Sequence, residues 1–194
     1  ILGQDECIDA LSAYLGDESL SGPASRALAA IGSENAGKAL KAGLMRRMGT
    51  PKTQKDIIVA IGEAQVEGTE DLLKALVGSG DESMQKAVLH SLSRVGSKAS
   101  IKDMAEAAAA SGYTMTKTNA NEAYIALLKR VAAQGDVKEV EKAANDLLKK
   151  ATKANQTQTR DAALQILLSL KKENSTKLLL SALKDGNKEY RNAA

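Results

Sequence analysis

The sequence predicts an all-α chain, a right-handed α-solenoid of about six helix pairs, and three observations carry that expectation. The first is composition. Hydrophobic residues make up 43%, yet Trp and Phe are absent and only 4 Tyr occur. A β-sandwich or α/β enzyme of this size would draw on aromatic and β-branched residues to fill a deep core. Ala and Leu instead suit thin layers in which helices pack closely through small side chains. The second is punctuation: there are 2 Pro and 15 Gly, and most of the Gly stand at the ends of apolar periodic runs.

The third observation is recurrence. Apolar runs ending in a Gly or polar stop return as Ala27-Leu28-Ala29-Ala30-Ile31-Gly32, Ile57-Ile58-Val59-Ala60-Ile61-Gly62 and Leu89-His90-Ser91-Leu92-Ser93-Arg94-Val95-Gly96. Ile31 and Ile61 are 30 residues apart, Ile61 and Val95 are 34 apart, and the phase continues, stretched, through 127–135 and 162–170. A two-helix unit of this length cannot bury its apolar stripe alone, so neighbours must stack.

Each unit reads as a first helix, a polar turn, a second helix and a break. Unit one (about 1–32) pairs 6–15 with 23–31, where Pro23 suits the first turn because its missing N–H would be unpaired there. Unit two (33–65) pairs 35–48 with 51–61, and unit three (66–97) pairs 69–77 with 82–95, Asp81 standing ready to cap the latter. Unit four (98–135) pairs 100–110 with 120–133, and unit five (136–172) pairs 137–151 with 156–170. Unit six (173–194) pairs 175–184 with a truncated helix from about 188.

A basic residue recurs near the start of the second helices: Arg26, Lys55, Lys86, Arg160 and Arg191. Lys55 to Lys86 and Arg160 to Arg191 are each 31 residues, and turn acids precede some of them, Asp81 before Lys86 and Asp185 before Arg191. Such side chains are expected to tie successive turns by charge-assisted hydrogen bonds, as a structural ladder.

On the paired helices, the turn Asp, the Arg-x-Ala-Ala start at Arg160-Asp161-Ala162-Ala163 and the Ile-Gly stop, the whole chain resembles the HEAT-repeat (armadillo-like) family. Unit four departs from that pattern, with a long inter-helix segment at 111–119 and Glu122 near the basic position. The stretches 23–31 and 155–164, with the 111–119 loop, resemble HEAT-repeat regions of exported Bacteroides-type proteins. There the array precedes a 3-keto-disaccharide hydrolase or glycoside-hydrolase-like domain. The resemblance implies a single repeat domain accessory to a C-terminal catalytic domain, in a periplasmic or exported location, with a cytoplasmic one as the alternative. The opening Ile1-Leu2-Gly3 and the closing Asn192-Ala193-Ala194 read as the ends of a piece of a larger protein.

Chemistry is sparse. Cys7 is the one cysteine and sits at an apolar helix position, where a buried thiol is expected. His90 is the one histidine, too little with Cys7 for a structural zinc site or a nucleophile with its base. Acid pairs such as Glu70-Asp71 and Asp81-Glu82 stand near helix starts, where the dipole accounts for them. Gly78-Ser79-Gly80 is a turn, and Asn155-Gln156-Thr157 and Asn174-Ser175-Thr176 fit a glycosylation triplet that chance often produces. No cofactor or metal is expected.

Net charge is +3, distributed as 11 Lys and Arg against 13 Asp and Glu over 1–100 and 16 against 11 over 101–194. Much of the excess is Lys138, Lys142, Lys149, Lys150 and Lys153, read as a solvated helix face. Basic residues interleaved with acids, as in Lys138-Glu139 and Lys172-Glu173, and the missing Trp and Phe argue against nucleic acid. No run approaches the roughly 18 apolar residues that span a membrane.

The expected function is therefore a non-catalytic interaction or scaffold module whose partner is another protein or its own C-terminal domain. A HEAT-like base-excision glycosylase or lyase, or a structural spacer, are the alternatives. Tyr113 in the long loop, and Tyr124 and His90 on second helices, are the partner-binding candidates, since exposed Tyr offers contact area with a polar tip. The oligomeric state is not legible.

Overall fold

The computed structural model describes residues 4–171 and 175–193, and every regular element among them is helical. The Ile1-Leu2-Gly3 opening, Lys172-Glu173, Asn174 of one glycosylation triplet and Ala194 lie outside the described residues. The chain divides into two compact units, one up to Gly96 and one from Ser97. The first holds α1 (Ile8–Ala13), α2 (Ser21–Ile31), α3 (Glu34–Met45), α4 (Pro51–Ala64), α5 (Glu70–Lys74) and α6 (Glu82–Val95). The second holds α7 (Ile101–Ala110), α8 (Ala120–Ala133), α9 (Val137–Lys153), α10 (Thr157–Lys171), α11 (Thr176–Leu183) and α12 (Lys188–Ala193). Short 3₁₀ turns at Gln4–Cys7 and Lys98–Ser100 lead into α1 and α7.

Local chemistry explains most boundaries. The Asp81 carboxylate accepts the Met84 N–H at 2.8 Å, so the expected cap on α6 is present. Ser33 caps α3 in the same way through the Ala36 N–H at 3.3 Å. Pro51 opens α4, and Gly32 closes α2 in the left-handed region at φ 64°.

Other helix ends share one device. After α3, α4, α7, α8 and α9 the chain turns back with an N–H bonded five residues upstream, as Met48 to Gly43 and Val66 to Ile61, and the preceding N–H bonded three upstream. This is the Schellman closure, and it needs a left-handed residue before the reversal. Gly112 and Gly135 supply it after α7 and α8, but Arg47, Gln65 and Asn155 supply it elsewhere. Gly62 is thus not the stop of α4, which runs on to Ala64 and turns at Gln65.

Within the first unit α4 packs against α2, α3 and α6. Leu28, Ile57, Ile58, Ile61, Leu89 and Leu92 are fully buried along this row, each side chain contributing about 1.5–3 kcal/mol by leaving water. At Gly62 α4 and α6 are in close contact: a Cβ there would lie 2.8 Å from the Ser91 Cα and 2.5 Å from its Oγ. The Ser91 hydroxyl donates to the Ile58 carbonyl at 2.7 Å, and Arg94 Nε donates to the Gly62 carbonyl at 2.7 Å. In the second unit α8 packs on α7, α9 and α10, and α12 on α10 and α11. Leu127, Leu128, Val131, Leu147, Leu164 and Leu167 are buried, and Tyr190 of α12 packs with Leu164 and Ala182.

The five basic residues expected to tie successive turns are placed differently from one another. Lys55 of α4 donates to the Ser83 hydroxyl of α6 at 3.0 Å. Arg160 of α10 is buried, bonds the Asp185 carboxylate in the turn before α12, and lies 4.0 Å above the Tyr190 ring. Arg191 donates to the Asp185 carbonyl at 2.6 Å. Arg26 and Lys86 are exposed instead. At the junction of α2 with α4 a shorter group does the tying: the Ser21 hydroxyl donates to Asp56 at 2.6 Å. Helices this close leave room for a serine between them. Cys7 also departs from expectation: it closes the turn ahead of α1, outside the stripe that begins at Ile8, and is exposed.

Two predictions follow from this packing. Replacing Gly62 with Ala forces α4 and α6 apart, costing about 1–3 kcal/mol, read as a fall in Tm of several degrees. Gly186→Ala, whose Cβ would meet nothing within 4 Å, leaves Tm unchanged. The second concerns Asp185, whose carboxyl is held below the usual range first by the Asn187 backbone N–H and then by Arg160. A depressed carboxylate stabilises the fold above its unfolded value, and that stabilisation is lost as pH falls through the folded value. Urea melts should show the wild type ahead of Asp185→Asn by a constant margin above about pH 5, shrinking below about pH 4.

Candidate functional site

Unit four, where the sequence leaves the repeat pattern, also carries a pocket of about 270 Å³. It is lined by Tyr113, Thr114 and Met115 of the long loop, by Asn121, Glu122 and Ile125 of α8, and by 156–159 at the start of α10. The loop is held in a defined shape. Tyr113 follows Gly112 in the left-handed region at φ 59°, its N–H bonded to the Ala108 carbonyl, and Asn119 at φ 52° delivers the chain into α8. Left-handed backbone costs about 1–2 kcal/mol at a non-glycine residue, so the surrounding bonds impose these two conformations.

The pocket wall is a buried polar relay. The Thr159 hydroxyl donates to the Tyr113 carbonyl at 2.8 Å. Having spent its one proton, it must accept from its other neighbour, and the Asn121 amide N–H₂ donates to it at 2.7 Å. This orients the Asn121 amide and leaves Oδ1 facing no donor. Glu122 Oε2 is likewise enclosed without a donor. Asn121 is 5% exposed and Thr159 3%. A buried acceptor without a partner costs about 1–3 kcal/mol, against a total domain stability of about 5–15 kcal/mol. Both belong to residues of the pocket wall, but the two oxygens themselves are closed off from solvent.

The residues expected to meet a partner are distributed differently. Tyr113 is half-buried in this pocket wall. Tyr124 is 3% exposed, so it is not the open contact residue expected; three residues after Asn121, it sits on the same inward stripe of α8. It floors a separate groove of about 760 Å³ between α7 and α9, lined by Ile101, Ala105, Ala109 and Ala143 and rimmed by charge. Burial raises its hydroxyl above the ordinary tyrosine range, with Asp146 adding to the effect. His90 is exposed on α6, away from both. All five lysines of the basic run on α9 are exposed, and Lys150 pairs with Asp146 at 2.7 Å.

The sequence reading marked the 111–119 loop and Glu122 but not Asn121 or Thr159. Asn121 could have been found: with Tyr124 and Leu128 it forms an i, i+3, i+7 stripe, and a polar amide there interrupts an otherwise apolar face. Thr159 carries no such signal, because a threonine in a helix's first turn reads as ordinary.

Among the described residues there is no group of three His, Cys, Asp or Glu placed to hold a metal ion, and no helix long and apolar enough to cross a membrane. No family model, curated protein or solved structure matches the chain.

The relay makes a direct prediction. Thr159→Val keeps the shape, removes the donor to Tyr113 and strands the Asn121 amide, so stability should fall by about 1–3 kcal/mol. Thermal melts would show this as a loss of about 2–4 °C per kcal/mol. Gln158→Ala, at the exposed neighbouring position, should melt with the wild type.

Proposed function

We propose that the chain is a non-catalytic interaction and scaffold module, a right-handed α-solenoid of HEAT-like helix pairs. One observation carries the reading: in each unit, consecutive second helices are tied by buried or half-buried polar contacts. Ser91 to Ile58 and Arg94 to Gly62 join α6 to α4, Asn121 to Thr159 joins α8 to α10, and Asn187 to Thr157 joins the α12 turn to α10. Nearest-neighbour ties of this kind are what a stack of repeats uses in place of a central core. The family resemblance extends the proposal to a protein partner or a following carbohydrate-processing domain, in an exported setting.

One observation favours this over the glycosylase alternative. Tyr124 and Tyr190 are buried, which leaves few aromatics to stack on a flipped base, as a glycosylase of this shape would need.

Small-angle scattering tests the architecture. A compact chain of 194 residues has a radius of gyration of about 16 Å. A value clearly above that is expected for a stack, and one at that figure would mean a closed bundle. The function is tested by cross-linking the intact protein in its native host and identifying the joined peptides. Reproducible links to a second protein or a following domain are expected. Links confined to the chain itself, together with a salt-dependent shift of labelled duplex DNA, would overturn the reading in favour of the enzyme.

A further inference from the structure

We infer that the groove between α7 and α9 seats one helix of a partner protein, an amphipathic helix with a narrow apolar face and acidic residues two turns apart. That the helix belongs to a protein partner rests on the interaction-module reading and deepens it; the shape and charge of the groove do not depend on it.

Shape comes first. α7 and α9 both pack on α8, and the groove of about 760 Å³ between them runs along 98–109 on one side and 139–150 on the other, with Tyr124 of α8 at its floor. Over 139–150 the α9 helix rises about 17 Å at about 1.5 Å per residue, the length of about three turns. Ala105 and Ala109 stand one turn apart on α7, and Ala143 lines the same space from α9. Packed helix axes lie about 8–10 Å apart according to the side chains between them, and side chains this small let a third helix come close to both walls. Ile101 is half-buried and Ala109 is exposed, so apolar surface stands uncovered there.

Charge says what that helix carries. Along the rim Lys102 meets Glu106 at 4.0 Å and Lys150 meets Asp146 at 2.7 Å. Lys98 meets Asp136 at 2.8 Å, with Glu139 adding to the charge around it. Lys142 and Lys149 of α9 are exposed and pair with no acid among the described residues. Seven residues apart, they share one face of α9 and stand about 10 Å from each other along its axis. A facing helix with carboxylates at i and i+7 meets both. The surrounding chain has the same sign: residues 101–194 carry 16 Lys and Arg against 11 Asp and Glu, which steers an acidic partner inward.

The same rim argues against other occupants. Nucleic acid would bring its phosphates against Glu106, Glu139 and Asp146 and leave the apolar walls unused. A bilayer surface is held by large apolar side chains that insert, and these walls are mostly alanine. A second copy docked through the same groove would set two surfaces of like net charge together. The lysine run on α9 also gains a direction that a uniformly solvated face would lack. Lys142, Lys149 and Lys150 border the groove, and Lys138 and Lys153 do not.

The test pans the whole chain against a phage library of helical peptides of about 14 residues, long enough to fill the groove. Their apolar face is fixed as Ala and Leu, and the other positions are drawn from Glu, Gln, Lys and Ser. Enrichment of sequences with Glu at i and i+7 is expected. The best of them, as a free peptide, should shift backbone amides concentrated at 98–109 and 139–150, and its affinity should fall as salt rises. It should bind the double variant Lys142→Glu, Lys149→Glu at least about tenfold more weakly, and Ala109→Leu, which narrows the groove, should weaken it too. The same peptide with Gln for both Glu should bind the wild type at least about tenfold more weakly, a comparison that stands even if a variant misfolds. No enrichment, enrichment without the acid pair, or shifts centred elsewhere would overturn the assignment. So would self-association that Ala109→Leu abolishes, which would give the groove to a second copy. Because the peptides come from a library, that failure leaves the module reading standing, and a failed search for a partner in the native host leaves the groove standing.

Discussion

The distance between consecutive second helices sets the terms for the rest of this fold. Where α4 crosses α6, the contact is made by Gly62 and Ser91, with no room for even a methyl group between them. Backbones that approach so closely cannot be held apart by aromatic side chains, and the chain has neither Trp nor Phe. They also bring acceptors of one helix within reach of short hydroxyls on its neighbour, as Ser91 reaches the Ile58 carbonyl and Ser21 the Asp56 carboxylate. Small residues therefore do two jobs, allowing the approach and then bonding across it. Leu and Ile fill what volume remains on either side.

The same geometry bears on where the recurring basic side chains find partners. A long basic side chain finds a partner across the junction where a turn presents one, as Asp185 does to Arg160. Where Ser21 already bonds Asp56 across the α2–α4 junction, the base at the equivalent position, Arg26, stays in solvent. Unit four inverts the arrangement. Its junction is bridged by Asn121 and Thr159, its ladder position carries Glu122, and the lengthened loop roofs the space between them. The loop holds two non-glycine residues, Tyr113 and Asn119, in the left-handed region, which costs local stability.

Much of the architecture was legible from the residues. The helix period, the cap at Asp81 and the break at Gly32 depend on interactions within a few residues, and α6 and α8 begin and end where the pattern places them. Composition alone excluded a deep aromatic core. The loop at 111–119 and the acid at 122 were visible as breaks in the repeat, and both prove to line the pocket.

What stayed hidden has a common physical cause. Gly62 looks like a helix stop and is a contact point, and Arg47, Gln65 and Asn155 turn the chain where glycine is the usual signal. Cys7 and Tyr124 exchange the exposures expected of them, because apolar character marks a stripe but not which neighbour covers it. The Asn121–Thr159 bond joins residues 38 apart, and nothing in either residue's local pattern names the other. Local hydrogen bonding and side-chain periodicity determined the helices; the pairing of their faces, and with it the pocket, was decided only when separate segments packed.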